Sequence, residues 1–123
     1  MRHRTPKRAK ADREVAAIRT EYRENNRCMR CFGEASLVHE ITGGTGLRRI
    51  AVQDMTTWLA LCHSCHMLIH ENPAQWPKSR QMAIKLARDP ENFDLDRINY
   101  LLSGGTKGHP VDLADIAKYL EPV

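Results

Sequence analysis

From Asp12 onward, Val15, Ile18 and Tyr22 recur at intervals of three and four on one side, with Arg13, Glu14, Arg19 and Glu21 on the other. That spacing predicts an amphipathic helix, which Asn25 and Asn26 end. Ala35 to Thr42 alternates and is rich enough in β-branched residues for a short strand. Gly43 to Gly46 forms a flexible loop with no Lys-Ser or Lys-Thr after it, so it is not a phosphate-cradling loop. Arg48 to Val52 is expected as a second strand. Trp58 to Leu61 runs into a cysteine turn, and Cys65 to Glu71 reads as a helix stopped by Asn72 and Pro73. Pro77 suits the first turn of a helix through Ala87, with Met82, Ala83 and Leu86 spaced for burial. Asp94 caps a helix holding Leu95, Ile98, Leu101 and Leu102, closed by Gly104 and Gly105. A last amphipathic segment, Val111 to Leu120, places Leu113, Ile116, Ala117 and Leu120 on one face. The pattern is a small α+β fold, a ββα unit with helices before and after it.

A chain of 123 residues is the size of one domain, and the core it can bury is limited. Composition changes the picture little: 41% hydrophobic and 28% charged is ordinary for a globular protein. No apolar run approaches the roughly 20 residues that span a bilayer. The first ten residues carry the charge of a signal peptide but no apolar stretch behind it, so the expected location is the cytoplasm. There, paired cysteines more often hold metal than form disulfides.

Charge is more informative than composition. Residues 1–50 carry twelve Lys or Arg against six Asp or Glu, whereas residues 51–123 carry seven against nine. Residues 1–11 read as a basic, disordered arm, which would be drawn to phosphate backbones without reading sequence. Arg2, Arg4, Lys7, Arg8 and Lys10, with Arg48 and Arg49, are the candidate backbone contacts. The two Trp and three Tyr are scattered singly, which argues against a base-stacking platform.

The chemistry concentrates in two Cys-x-x-Cys pairs, Cys28 with Cys31 and Cys62 with Cys65. Four thiolates at this spacing fill the tetrahedral shell of a structural zinc and leave no position open for reaction. Gly33, just after the first pair, suits the tight turn whose amides point at the thiolates. The second pair runs directly into His66 and His70, four apart and hence neighbours on one helix face. With His39 and Glu40 upstream, these histidines make a second, unsaturated metal site plausible. His63, inside the second pair, is expected in solvent or near phosphate, and Trp58 and Trp76 are expected to pack the core or the knuckles.

Cys28 and Cys31, then Val38, His39, Glu40 and Ile41, a glycine-rich loop, and the string Leu61-Cys62-x-x-Cys65-His66-x-x-x-His70 resemble the zinc-knuckle branch of the HNH endonucleases, especially small phage and prophage members. The resemblance covers residues 28 to about 72. It implies a ββα-metal (HNH, His-Me finger) core holding one divalent ion such as Mg2+, Mn2+, Ni2+ or Zn2+. A histidine at the end of the first strand would activate water, and a mid-loop asparagine would brace the loop. His66 falls on the last metal-binding position, and His70 where some members add a ligand. If Ile41 sets the register, His39 takes a ligand position and Glu40 stands in for the base; if His39 is the base, Val38 stands in for the ligand. Thr57 occupies the place of the asparagine, nine residues before His66.

On this reading residues 12–76 form the zinc-knuckle domain with its amino-terminal helix, and residues 77–123 a helical extension offering a surface to a phage protein partner. The implied activity is metal-dependent hydrolysis of DNA phosphodiester bonds, in the cytoplasm of a bacterial host if the chain is phage-encoded. Two other classes stay open. One is a non-catalytic zinc module of the same descent that binds nucleic acid, and the other is a zinc-scaffolded protein-interaction adaptor.

Overall fold

Apolar residues cluster most densely in Trp58–Leu61, and the molecule is organised around that segment. The computed structural model describes residues 6–43, 47–105 and 110–120. Helix α1 spans Pro6–Glu24, strand β1 Leu37–Glu40 and helix α2 Arg48–Ala51. A 3-10 turn, Met55–Thr57, leads into strand β2, Trp58–Leu61. Helices α3 (His63–Glu71), α4 (Lys78–Arg88), α5 (Leu95–Leu102) and α6 (Leu113–Ala117) follow. Among the described residues these six helices surround one two-stranded antiparallel sheet, the expected α+β class. No helix among them is long and apolar enough to cross a membrane.

The strands pair Leu37 with Leu61, Val38 with Ala60, His39 with Leu59 and Glu40 with Trp58. All four residues of β2 are buried, while those of β1 are half-buried. A strand covered on both faces has no polar side to alternate with, which is why Trp58–Leu61 is apolar throughout. The second strand is therefore here, and the strand expected at Arg48 to Val52 is instead the short helix α2. Its amide at Ala51 bonds the Leu47 carbonyl, while the Leu47 amide bonds Leu101 of α5.

Helix α1 begins at Pro6, six residues before the expected start, because proline's missing N–H falls where a helix has unpaired donors anyway. Residues 6–11, expected as part of a disordered arm, are thus helical; residues 1–5 lie outside the described residues. Helix α5 forms as its sequence predicts. The Asp94 side chain accepts from the Arg97 amide, and Gly104 and Gly105 close the helix with φ of 74° and 88°.

Lys85 of α4 is the least expected member of the core, with none of its surface exposed. Its ammonium shares three N–H groups among four acceptors, the carbonyls of Met55 (2.9 Å) and Trp58 (2.8 Å), the Tyr22 oxygen (3.0 Å) and the Asp89 carboxylate (2.7 Å). The Tyr22 hydroxyl in turn donates to Asp89 at 2.6 Å. One cation thus ties α1, the 3-10 turn, β2 and the end of α4 together. Burial opposes ionisation of Asp89, but the hydrogen bonds from Lys85, Tyr22 and Asn92 outweigh it and hold the carboxyl below its ordinary value. Arg19 of α1 donates to the carbonyls of Val38 (3.0 Å) and Val52 (3.1 Å) and lies 5.3 Å over the Trp58 ring.

Replacing Lys85 by Ala leaves the Asp89 carboxylate and two carbonyls without their cation, so urea denaturation should show a loss of about 3–5 kcal/mol. A depressed carboxyl contributes stability that is complete above the unfolded value of about 3.9 and is lost as pH falls through the lower folded value. The parent protein should therefore lose this increment on acidification below about pH 4, and the Lys85→Ala variant should lack it. Equal stability of the two proteins at neutral pH would show that Lys85 is not the hub.

Candidate metal centre and histidine cleft

Two turns separated by the whole of β1 and β2 bring the cysteines together. The ligand atoms of Cys28, Cys31, Cys62 and Cys65 all lie within 4.8 Å of one another. The sulfurs of Cys31 and Cys62 are 3.8 Å apart, close to the tetrahedron edge of about 3.8 Å that follows from a zinc–sulfur bond near 2.3 Å. The group is placed to hold a metal ion such as zinc.

The two halves are built alike. The Cys31 amide donates to the Cys28 sulfur at 3.5 Å, and the Cys65 amide donates to the Cys62 sulfur at 3.4 Å. Cys62 also serves as the N-cap of α3, its sulfur accepting from the Cys65 amide. The left-handed residue of the first turn is Phe32 (φ 67°), where Gly33 is expected to supply the turn. Gly33 is needed for closeness instead, since a Cβ there would sit 3.4 Å from the Cys31 sulfur. The Met29 amide bonds the Ala60 carbonyl at 2.9 Å, which fastens this turn to β2.

Burial pushes the Cys28 thiol up, yet backbone donors at Cys31, Cys62 and Arg30 win and bring it down to about 6. Cys65 goes the other way, pushed up to about 12 by burial and by the neighbouring thiols against the opposing pull of the Arg30 guanidinium, 3.3 Å away. Four thiolates in so small a volume repel unless a cation sits among them.

A row of imidazoles adjoins this centre. His39 of β1 meets His66 of α3 edge-on with ring centroids 5.2 Å apart, and His66 stacks on His70 at 5.9 Å. Among the described residues the cysteines alone form a closed ligand group; the imidazoles form a line of rings. The Nδ1 atom of His66 is buried and meets no hydrogen-bond partner, the condition of a ring nitrogen whose partner is an ion or a water. His39 is held by Gln81 of α4. The Gln81 amide nitrogen donates to the Trp76 carbonyl at 2.9 Å, so its oxygen faces His39 and accepts the Nε2 proton at 2.7 Å. That choice of tautomer leaves the Nδ1 lone pair of His39 free. Burial lowers the pKa of His39 to about 4, and His66, Lys78 and His70 add to the effect while the Gln81 bond opposes it. His66 is also lowered, by burial and then by His70 and His63.

The other expected site residues lie apart from the row. Successive strand residues face opposite ways, so Glu40 turns to α1, where Arg19 lies 3.5 Å away. Thr57 is fully buried, and its hydroxyl lies 2.9 Å from the Ala51 carbonyl and 2.8 Å from that of Asp54, bracing the turn before β2. His63 is exposed at the start of α3, and Trp58 and Trp76 are core residues. Lys7, Lys10 and Arg49 are exposed; Arg2, Arg4 and the side chains of Arg8 and Arg48 lie outside the described residues.

Two residues were missed by sequence reasoning, Gln81 and Lys78. With His39 and His70 they line a cleft of about 510 Å³ floored by Ile69 and Trp76. Lys78 is half-buried there, and burial lowers the pKa of its ammonium. The available signal was spacing, because residues 78, 81, 82 and 85 form one stripe of α4 in which Lys78, Gln81 and Lys85 share a side of the helix with Met82.

Replacing Cys62 by Ala should abolish tight zinc binding and unfold the centre, since structural zinc contributes on the order of 10 kcal/mol to small metal-built domains. His66→Ala should retain full zinc, as read by metal analysis of the purified variants; loss of zinc there would assign His66 to the cysteine site. Because Cys65 holds its proton at neutral pH without a cation, binding releases protons, and affinity measured against a competing chelator should rise with pH. Comparison with known proteins gives no matching family model, no matching curated protein and no matching solved structure.

Proposed function

We propose that the chain is a metal-dependent endonuclease of the HNH type that hydrolyses phosphodiester bonds in DNA. The observation that carries this reading is the pairing of His39 at the end of β1 with His66 on α3, rings 5.2 Å apart, with Gln81 fixing the tautomer of His39. Two antiparallel strands followed directly by a helix that opens on a Cys-x-x-Cys pair, with His66 next to that pair and His70 in its last turn, support it. In this reading zinc sits among the four cysteines and holds the scaffold, with no coordination position left for chemistry.

The free Nδ1 of neutral His39 accepts the proton of the attacking water. Burial keeps that nitrogen unprotonated at neutral pH. Glu40 is committed to Arg19, so of the two registers the one with His39 as base is favoured, and Glu40 serves to position α1 against the strand. His66 and His70 would hold a divalent ion, which supplies stabilisation of the charge developing on the phosphate and the leaving oxygen. Lys78, at the opening of α4, grips the phosphate in the cleft. Thr57 braces the preceding turn through backbone carbonyls, without touching substrate.

A second reading, a nucleic-acid-binding module without cleavage, is favoured by the same commitment of Glu40 to Arg19, which removes one carboxylate from the cleft. Nicking of supercoiled plasmid separates the two. Zinc-loaded protein should nick only when Mg2+, Mn2+ or Ni2+ is added, and His39→Ala should slow nicking by about 10²-fold or more, the usual contribution of a general base. Gln81→Leu should lower the rate while zinc content stays unchanged. The base must be neutral, so the rate should fall on acidification, with its acid limb below the ordinary histidine value of about 6.5. No nicking with any of these ions would leave the binding module.

A further inference from the structure

Three arginines and three aromatic rings from distant parts of the chain meet beside the first cysteine turn. Arg80 of α4 lies 3.6 Å over the Trp76 ring and 5.9 Å from that of Tyr119, and Arg30 lies 5.3 Å from Trp76. Arg88, one helix face along, lies 4.0 Å over Phe32. A groove of about 280 Å³ is lined by Arg30, Trp76, Arg80, Arg88 and Tyr119 and by no carboxylate, with Phe32 beside it against Arg88. None of these guanidiniums pairs with a carboxylate among the described residues; Arg30 donates to the Cys65 sulfur at 3.3 Å and Arg80 to the Gln75 carbonyl at 2.8 Å. Phe32 and Tyr119 are 51% and 46% exposed, so their rings are offered to solvent rather than spent on the core.

Phe32 adds an independent observation. Among the described residues it is the only one other than glycine with positive φ, at 67°. That backbone region is unfavourable for a bulky side chain and costs glycine nothing. Folding of the turn alone would favour glycine here, so an exposed aromatic at this position points to a use for its ring.

From this juxtaposition we propose that the groove binds a single-stranded segment of DNA, with bases stacked on Phe32 and Tyr119 and phosphates held by Arg30, Arg80 and Arg88. Ring faces accept bases only where the bases are unstacked from each other, which selects a single strand over a duplex. A guanidinium stacked on a ring keeps its outward N–H groups free for phosphate. An acidic peptide would satisfy the arginines but leave the exposed rings without a partner of matching shape. Trp76 lines both this groove and the histidine cleft, so a strand lying here leads toward His39 and His70. Binding itself needs none of the histidines and deepens the nuclease reading without depending on it.

The test is fluorescence anisotropy of the zinc-loaded full chain, without added divalent ion, using labelled oligothymidylate of about twelve nucleotides, within the range of single-strand site sizes. The oligothymidylate should bind more tightly than duplex DNA of the same length and more tightly than polyglutamate. Phe32→Gly relieves the backbone and should keep zinc and melting temperature while weakening binding about tenfold, the scale of one lost base stack. Arg88→Gln should weaken binding and reduce the slope of log affinity against log salt by about 0.7. Phe32→Gly binding as tightly as the parent, or duplex or polyglutamate binding as tightly as the oligothymidylate, overturns the proposal. Failure of plasmid nicking with these binding results intact would remove the nuclease reading and leave the groove.

Discussion

Four sulfur atoms must share one small volume, and that requirement sets the geometry of nearly everything around them. One pair sits on the turn after α1 and the other on the first turn of α3, so bringing the sulfurs within 4.8 Å folds β1 and β2 back on each other and aims α3 across them. The Met29–Ala60 backbone bond and the Cys62 cap on α3 are the local fastenings of that closure. Because His66 follows Cys65 directly, the direction of α3 also decides where the imidazole row lies. Scaffold and candidate cleft are therefore one construction.

Opposite the cysteines the same sheet is held by charge buried in the core. Lys85 and Asp89 carry the end of α4 onto β2, and Arg19 carries α1 onto β1. This explains how α4, which lies beyond the cysteine and histidine stretch of sequence, comes to supply Gln81 and Lys78 to the cleft. An ion pair in such a place is weak evidence of net stability, but removal of one partner is costly, so it fixes the arrangement it joins. The helices after residue 77 thus belong to the site as well as to the periphery.

What could be read from the chain was whatever is local. The cysteine spacing, the Asp94 cap and glycine closure of α5, and the four-residue step from His66 to His70 depend on neighbours in sequence, and each takes its expected form. The second strand was misplaced because a segment buried on both faces shows no alternation, whereas Ile50 and Val52, two apart after a pair of arginines, imitate a strand. Gln81 and Lys85 were hidden for a different reason. Their partners, His39 and Tyr22, lie 42 and 63 residues away, and a polar residue within an apolar stripe carries no mark of what will satisfy it. The aromatic residues looked solitary along the chain and gather only through arginines contributed by three-dimensional packing.

The central claim is that a sulfur-only metal centre holds this fold and leaves the imidazoles outside it. X-ray absorption at the zinc edge of the purified full chain measures that directly. The account predicts one zinc per chain with four sulfur neighbours at about 2.3 Å and no nitrogen in the shell. A shell of mixed sulfur and imidazole nitrogen, or a folded chain that holds no zinc, would contradict it.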